Sequence, residues 1–161
     1  MKSGKIFKIV IAIALCEAVG GIGAILTGPV GADAWYQGLN RSVLNPPNWV
    51  FSVVWTLLFA LMGVAAYLIW EKKSHDKTRS ADAALEVLVM QMVLNILWSI
   101  LFFVLHDPIA ALCEMFALWL AIAWLVCRAS LVSRLAGWLL LPYLLWVSFA
   151  IYLNYSIVLL N

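Results

Sequence analysis

Charge is the scarcest feature of this chain: Lys, Arg, Asp and Glu together make up 11% of its 161 residues, while 66% are hydrophobic. At a mean hydropathy of +1.02 there is too little polar surface to cover a water-soluble globule, so the outside of the fold must be lipid. Cysteine is nearly absent as well. Cys16, Cys113 and Cys127 fall inside or at the ends of apolar stretches without C-x-x-C spacing, which argues against a disulfide framework and a metal site and leaves them as small apolar fillers. Histidine is limited to His75 and His106, and no second histidine, cysteine or paired carboxylate stands at ligand spacing, so no metal is expected. There is no nucleophile beside a base and no glycine-rich phosphate loop, which removes the conventional enzyme sites. A net charge of +2 leaves no basic surface for nucleic acid.

What is present is apolar length. A bilayer core needs about 20 helical residues, and five stretches supply it: roughly 6–27, 47–70, 84–105, 108–127 and 135–160. They use up most of the chain, so the expectation is an all-α integral membrane protein, residues 1–161 forming one bundle of five transmembrane helices. The first stretch follows Lys2, Lys5 and Lys8 and contains the small-residue run "GGIGA", as a signal peptide does, but its apolar run is long and includes Glu17, which favours a retained helix. Lys72, Lys73, Lys77 and Arg79 follow the second span, and Arg128 and Arg134 follow the fourth. Only Arg41 falls on the other side. By the positive-inside rule the N-terminus is inside and the C-terminus outside, as an odd number of spans requires. A bacterial membrane suits this pattern best, with a mitochondrial outer membrane as the alternative.

The connection 28–46 is the one long loop on the outer side, and Gly28, Pro29, Gly31, Asp33 and Gly38 read as its turns. It ends "NPP", where Asn45 is expected to cap the second helix and Pro46 or Pro47 to occupy its first turn, where a missing N–H costs nothing. In "HDP", Asp107 and Pro108 repeat the device and predict a tight turn that makes the third and fourth spans an antiparallel hairpin. His75 reads as a solvated loop residue and His106 as an interfacial one. Glu17 and Glu114 are ionisable groups within spans; such groups face the bundle interior or a partner, although a position near a helix end is the simpler reading, most of all for Glu114.

Gln91, Asn95 and Ser99 follow each other four apart and share one helical face, with Trp98 and Phe102 beside them. In lipid this face turns inward, either for interhelical hydrogen bonding worth about 0.6 kcal/mol per contact or toward a cavity. In the last span Trp138, Pro142, Trp146, Ala150 and Asn154 also stand four apart, flanked by Tyr143 and Phe149. Trp35, Trp49, Trp70 and Trp138 sit near span ends, as aromatic anchors do. Trp55, Trp98 and Trp146 lie deeper, among small or amide-bearing neighbours, which points to a flat, mostly apolar cavity with a few polar handles.

These motifs resemble the translocator protein family, also called tryptophan-rich sensory proteins and formerly peripheral benzodiazepine receptors. The resemblance is carried by "WYQGL" with "PPNWVFSVVWTLLFALMG", by "QMVLNILWSILFF" and by "LPYLLWVSFAIYLNYSIVLLN". It implies five transmembrane helices, a homodimer, and a pocket roofed by the first loop that takes tetrapyrroles such as protoporphyrin IX and haem as ligands, with no covalent cofactor. Isoquinoline carboxamides, benzodiazepines and, in animal members, cholesterol are the family's other ligands. Carried across by motif, the pocket residues are Tyr36, Trp55, Asn95, Trp98, Trp146, Phe149 and Ala150. The implied function is a membrane tetrapyrrole receptor acting as sensor, regulator or carrier. The alternative is light- and oxygen-dependent degradation of protoporphyrin, in which Trp55 and Trp146 would be the redox-active residues; a transporter finds little support, since no charged pore-lining pairs or inverted repeats occur. Two segments depart from the family. "RSVL", Arg41 to Leu44, replaces the usual "KPxW", and Leu153 and Tyr155 are followed by no basic residue, so the sterol pattern is incomplete.

Overall fold

The computed structural model of the chain describes residues 2–28, 33–73 and 79–161, with side chains from Gly4 onward. His75 and Lys77, and Pro29 and Gly31, lie outside the described residues. The described elements are helices: α1 (Lys2–Thr27), α2 (Ala34–Gly38), α3 (Asn48–Lys72), α4 (Ser80–Ser99), α5 (Pro108–Val132) and α6 (Arg134–Leu160), with a π-helical turn over Ile100–Val104 closing α4. Five of them are long and apolar enough to cross a bilayer, and the chain is an integral multi-pass membrane protein. The helices outrun the apolar stretches, chiefly at the basic ends: α1 begins at Lys2, α4 at Ser80, and α5 runs to Val132. Hydropathy marks the part of a helix that must sit in hydrocarbon, whereas its hydrogen-bond ladder continues into the polar interface.

Around the bundle α1 packs on α3, α3 on α6, α6 on α5 and α5 on α4, while α4 returns to α1 by looser contact. The tight side of the ring is filled by Met62, Ile69, Leu118, Ile122, Leu125, Leu140 and Tyr143, all buried. Ion pairs join the basic ends: Lys5 with Glu71 at 2.6 Å and Lys73 with Asp82 at 2.7 Å. At the other end Asp107 accepts from the backbone N–H groups of Ile109 (3.1 Å) and Ala110 (2.9 Å), and Pro108 opens α5, as the sequence leads one to expect. The start of α3 differs. Pro47 is the capping residue, no side chain caps it, and Asn45 instead donates to the carbonyl of Pro46.

The polar stripe of α4 is buried throughout. Tyr143 of α6 donates to Gln91 Oε1 at 2.7 Å and accepts from Asn95 Nδ2 at 3.2 Å, so one phenol satisfies two amides in the middle of the bundle. Leaving a buried donor or acceptor without a partner costs about 1–3 kcal/mol. Tyr143→Phe leaves Gln91 Oε1 and Asn95 Nδ2 without this partner and is expected to lower the thermal unfolding midpoint in lipid nanodiscs well below that of Tyr155→Phe, whose ring is exposed. Equal midpoints for the two variants would remove the network from the stability of the fold.

The four-apart series in α6 does not form one face. Each step of four overshoots the helical turn by roughly 40°, so the series winds from Trp138, 70% exposed, to Asn154, 2% exposed. The buried face runs instead through Leu140, Tyr143, Val147 and Asn154. Asn154 accepts from Trp98 Nε1 (3.2 Å) and donates to the carbonyl of Pro108 (2.8 Å), tying α6 to α4 and to the start of α5.

Candidate functional site

A cavity of about 370 Å³ lies where the ring of helices is loosest, between α1, α3 and α4. From α1 it is lined by Glu17, Gly20, Gly21, Gly23, Ala24 and Thr27; from α3 by Phe51, Ser52, Trp55, Thr56 and Phe59; from α4 and its π turn by Asn95, Trp98, Ser99 and Phe103. The glycine run makes the α1 wall nearly bare backbone. Its spacing is set by contact: a Cβ on Gly20 would come within 2.5 Å of the Phe59 ring, while one on Gly21 would meet nothing within 4 Å. Opposite stand the rings of Trp55 and Trp98. The result is a slot with a glycine-rich wall on one side and aromatic rings on the other.

Tyr36, buried, closes the end of the cavity beside α2. That five-residue helix is set off by Asp33, whose carboxylate accepts from the N–H of Trp35 at 2.9 Å. The π turn widens the end of α4 so that Phe102 and Phe103 both reach the roof; their rings lie 6.3 and 5.8 Å from Tyr36. Such single π turns are frequent at functional sites. Trp35 is more than an interfacial anchor, because it stacks on His106 at 4.4 Å and meets Phe102 edge-on. The far end of the loop is clasped to the end of α6: the backbone N–H of Asn40 donates to Asn161 Oδ1 (3.0 Å), and Asn161 Nδ2 donates back to the carbonyl of Asn40 (3.1 Å). Ser42 adds a hydrogen bond with the Tyr152 hydroxyl at 2.9 Å. Through these contacts the "RSVL" segment still holds the roof, with Arg41 placed over the Tyr36 ring at 4.9 Å.

The sequence profile of the TspO/MBR family matches residues 12–160, nearly the whole chain. The chain belongs to the TspO/MBR family. It is similar to the tryptophan-rich protein TspO of Chlorobaculum tepidum, with 37% identity over 98% of both chains, and to that of Archaeoglobus fulgidus, with 38% identity over 98% of this chain and 99% of the other. With the translocator protein of Homo sapiens it shares 36% identity over 76% of this chain and 72% of the human one.

Of the seven residues that the family motifs single out, the cavity brings together Tyr36, Trp55, Asn95 and Trp98. Trp146 and Phe149 do not line it. They border an apolar groove on the outer surface between α3 and α6, with Leu57, Leu61, Pro142 and Leu145. Ala150 packs on the core near them. Trp146 touches the cavity only at one remove: its ring lies 5.9 Å from Phe51, which does line it, and its Nε1 is buried with no hydrogen-bond partner among the described residues. Trp55 and Trp146, the expected redox pair, therefore stand on two different surfaces.

Several lining residues carried only a packing signal in the sequence. The "GGIGA" run reads as a helix–helix contact, and Gly20 serves as one against Phe59 and Gly23 against Ser99, but Gly21 and Ala24 form the open wall. Glu17 is not at a helix end: it lies ten residues before Thr27, roughly 15 Å along α1, on the cavity. Glu114 is nearer the end of its helix, yet both carboxylate oxygens are buried and without a partner among the described residues.

Proposed function

We propose that this TspO/MBR family member is a membrane-embedded tetrapyrrole-binding protein, acting as a sensor, regulator or carrier of a ligand such as protoporphyrin IX or haem. One observation carries the reading: a slot with a glycine wall on α1 faces the indoles of Trp55 and Trp98 within the membrane span. Aromatic side chains stack on flat π systems at a gain of about 0.5–1.5 kcal/mol beyond burial, and the bare backbone opposite lets a planar molecule lie close. At about 370 Å³ the slot is at the small end of the roughly 300–1,000 Å³ range of ligand pockets. It suits isoquinoline carboxamide and benzodiazepine-type molecules whole, and a macrocycle with its polar edge left at the roof beside Tyr36 and Arg41. The positive-inside rule sets the ends of α1 and α3 joined by Lys5 and Glu71 on the inner side, which turns the roof outward.

Protoporphyrin IX is expected to quench tryptophan fluorescence of the nanodisc-embedded protein along a saturable curve. Trp55→Phe should weaken binding by about three- to tenfold, the scale of one lost stacking contact, and Trp146→Phe should leave the midpoint in place. A curve that never saturates, or one that Trp55→Phe does not move, refutes the assignment.

A further inference from the structure

Glu17 is the one acidic residue among those lining the cavity. Its helix turn sits three residues below Gly20, and Gly20 is level with Phe59 because their contact fixes it there. The carboxylate is thus at the deep end of the slot, away from the roof formed by Tyr36 and Phe103. Among the described residues no donor reaches it. The nearest basic residues on its own helix are spent elsewhere: Lys5 on Glu71, and Lys8, nine residues away, over the ring of Trp70 at 5.0 Å. An ionisable side chain inside a membrane span without a partner is costly, and such groups mark the path or seat of something that pairs with them.

The rest of the deep end is short of donors too. Asn95 gives an amide N–H to Tyr143, while its carbonyl oxygen has no described partner. Trp98 gives its indole N–H to Asn154, out of the cavity. The hydroxyls of Thr56 and, level with Gly23 and so nearer the roof, Ser99 act either way.

We propose that Glu17 is the specificity-determining residue of this cavity: among flat aromatic ligands it selects those that present an N–H or ammonium donor at the deep end, and it turns carboxylates toward the roof. The proposal rests on the cavity being the ligand site, as argued above. The repulsion of ligand acids from Glu17 and the presence of Arg41 over Tyr36 act in the same sense, so an amphipathic ligand has one preferred direction in the slot.

The test uses the full chain in phosphatidylcholine nanodiscs and three probes of one shape: 1-pyrenemethylamine, 1-pyrenemethanol and 1-pyrenecarboxylic acid, each followed by energy transfer from tryptophan. Wild type is expected to bind the amine about tenfold or more tighter than the alcohol, the scale of one hydrogen bond to a charged group, and the acid weakest. Glu17→Gln should bring amine and alcohol within about twofold of each other, the amine having lost its charged partner, and should tighten the acid; Glu17→Met, of similar length and apolar, should do the same. An amine preference that survives both substitutions overturns the proposal. Trp55→Phe separates the two readings. If it weakens all three probes, the cavity is the site and a surviving preference counts against Glu17 alone; if it moves none, the probes bind elsewhere and both readings fall.

Discussion

Gly63→Ala is expected to destabilise the bundle by about 3 kcal/mol or more, the upper end of what overpacking a core costs, and to abolish ligand binding with it. Gly63 is buried where α3 crosses α1, and a Cβ built there falls on the Cα and N of Ile13 and the carbonyl carbon of Ala12. Backbone atoms have no rotamer to escape into, so the two helices must move apart. Alanine is the better helix former by about 1 kcal/mol, which works in the opposite direction and is too small to compensate. Gly21→Ala supplies the control: it has the same propensity gain and nothing within 4 Å, so it should leave stability unchanged or slightly raised. Because α1 and α3 are two walls of the cavity, the separation forced by Gly63→Ala also dismantles the slot. Thermal unfolding in nanodiscs, followed by circular dichroism, measures both variants; a Gly63→Ala protein as stable as wild type would mean that the helices do not cross this closely.

The five spans, the turn at "HDP" and the inward face of Gln91, Asn95 and Ser99 are legible in the sequence because each depends on one local rule: apolar length, a capping geometry, or side chains four apart over a short distance. The same rule fails in α6. Extended over Trp138, Pro142, Trp146, Ala150 and Asn154, a four-residue step drifts around the helix, and its first members point away from the core into which its last is buried. Asn45 illustrates a different limit. A polar residue before a proline pair is a good capping candidate, but helix α3 starts later, at Asn48, and the competing bond to the carbonyl of Pro46 takes the side chain. The π turn over Ile100–Val104 has no composition of its own to announce it; it is fixed by packing of Phe102 under Trp35, Tyr36 and Trp98.

For the site, motif and geometry divide the candidates. Tyr36, Trp55, Asn95 and Trp98 meet at one cavity, while Trp146 and Phe149 occupy the outer groove on the far side of α3. Motif resemblance says which residues a family uses, and the rotation of α6 against α3 decides which of them share a space in this chain. The α1 wall was hidden for a simpler reason. A glycine contributes no side chain to a pattern, so a run that leaves room for a ligand reads the same as one that leaves room for a helix. Gly20 and Gly63 are of the second kind, Gly21 of the first, and only the atoms opposite each distinguish them.

That distinction supplies the most direct test of the central claim, that the slot between α1 and the indoles of Trp55 and Trp98 is where the ligand sits. Gly21 lines the cavity and a Cβ there meets nothing within 4 Å, so Gly21→Phe adds bulk at the cavity wall without touching the packed side of the bundle. Titration of protoporphyrin IX against tryptophan fluorescence should show binding weakened by about 100-fold or more, the scale of a ligand excluded from its pocket at roughly 2.8 kcal/mol, in a protein whose unfolding midpoint matches wild type. Undiminished affinity in a folded Gly21→Phe protein would contradict the account and place the ligand on another surface.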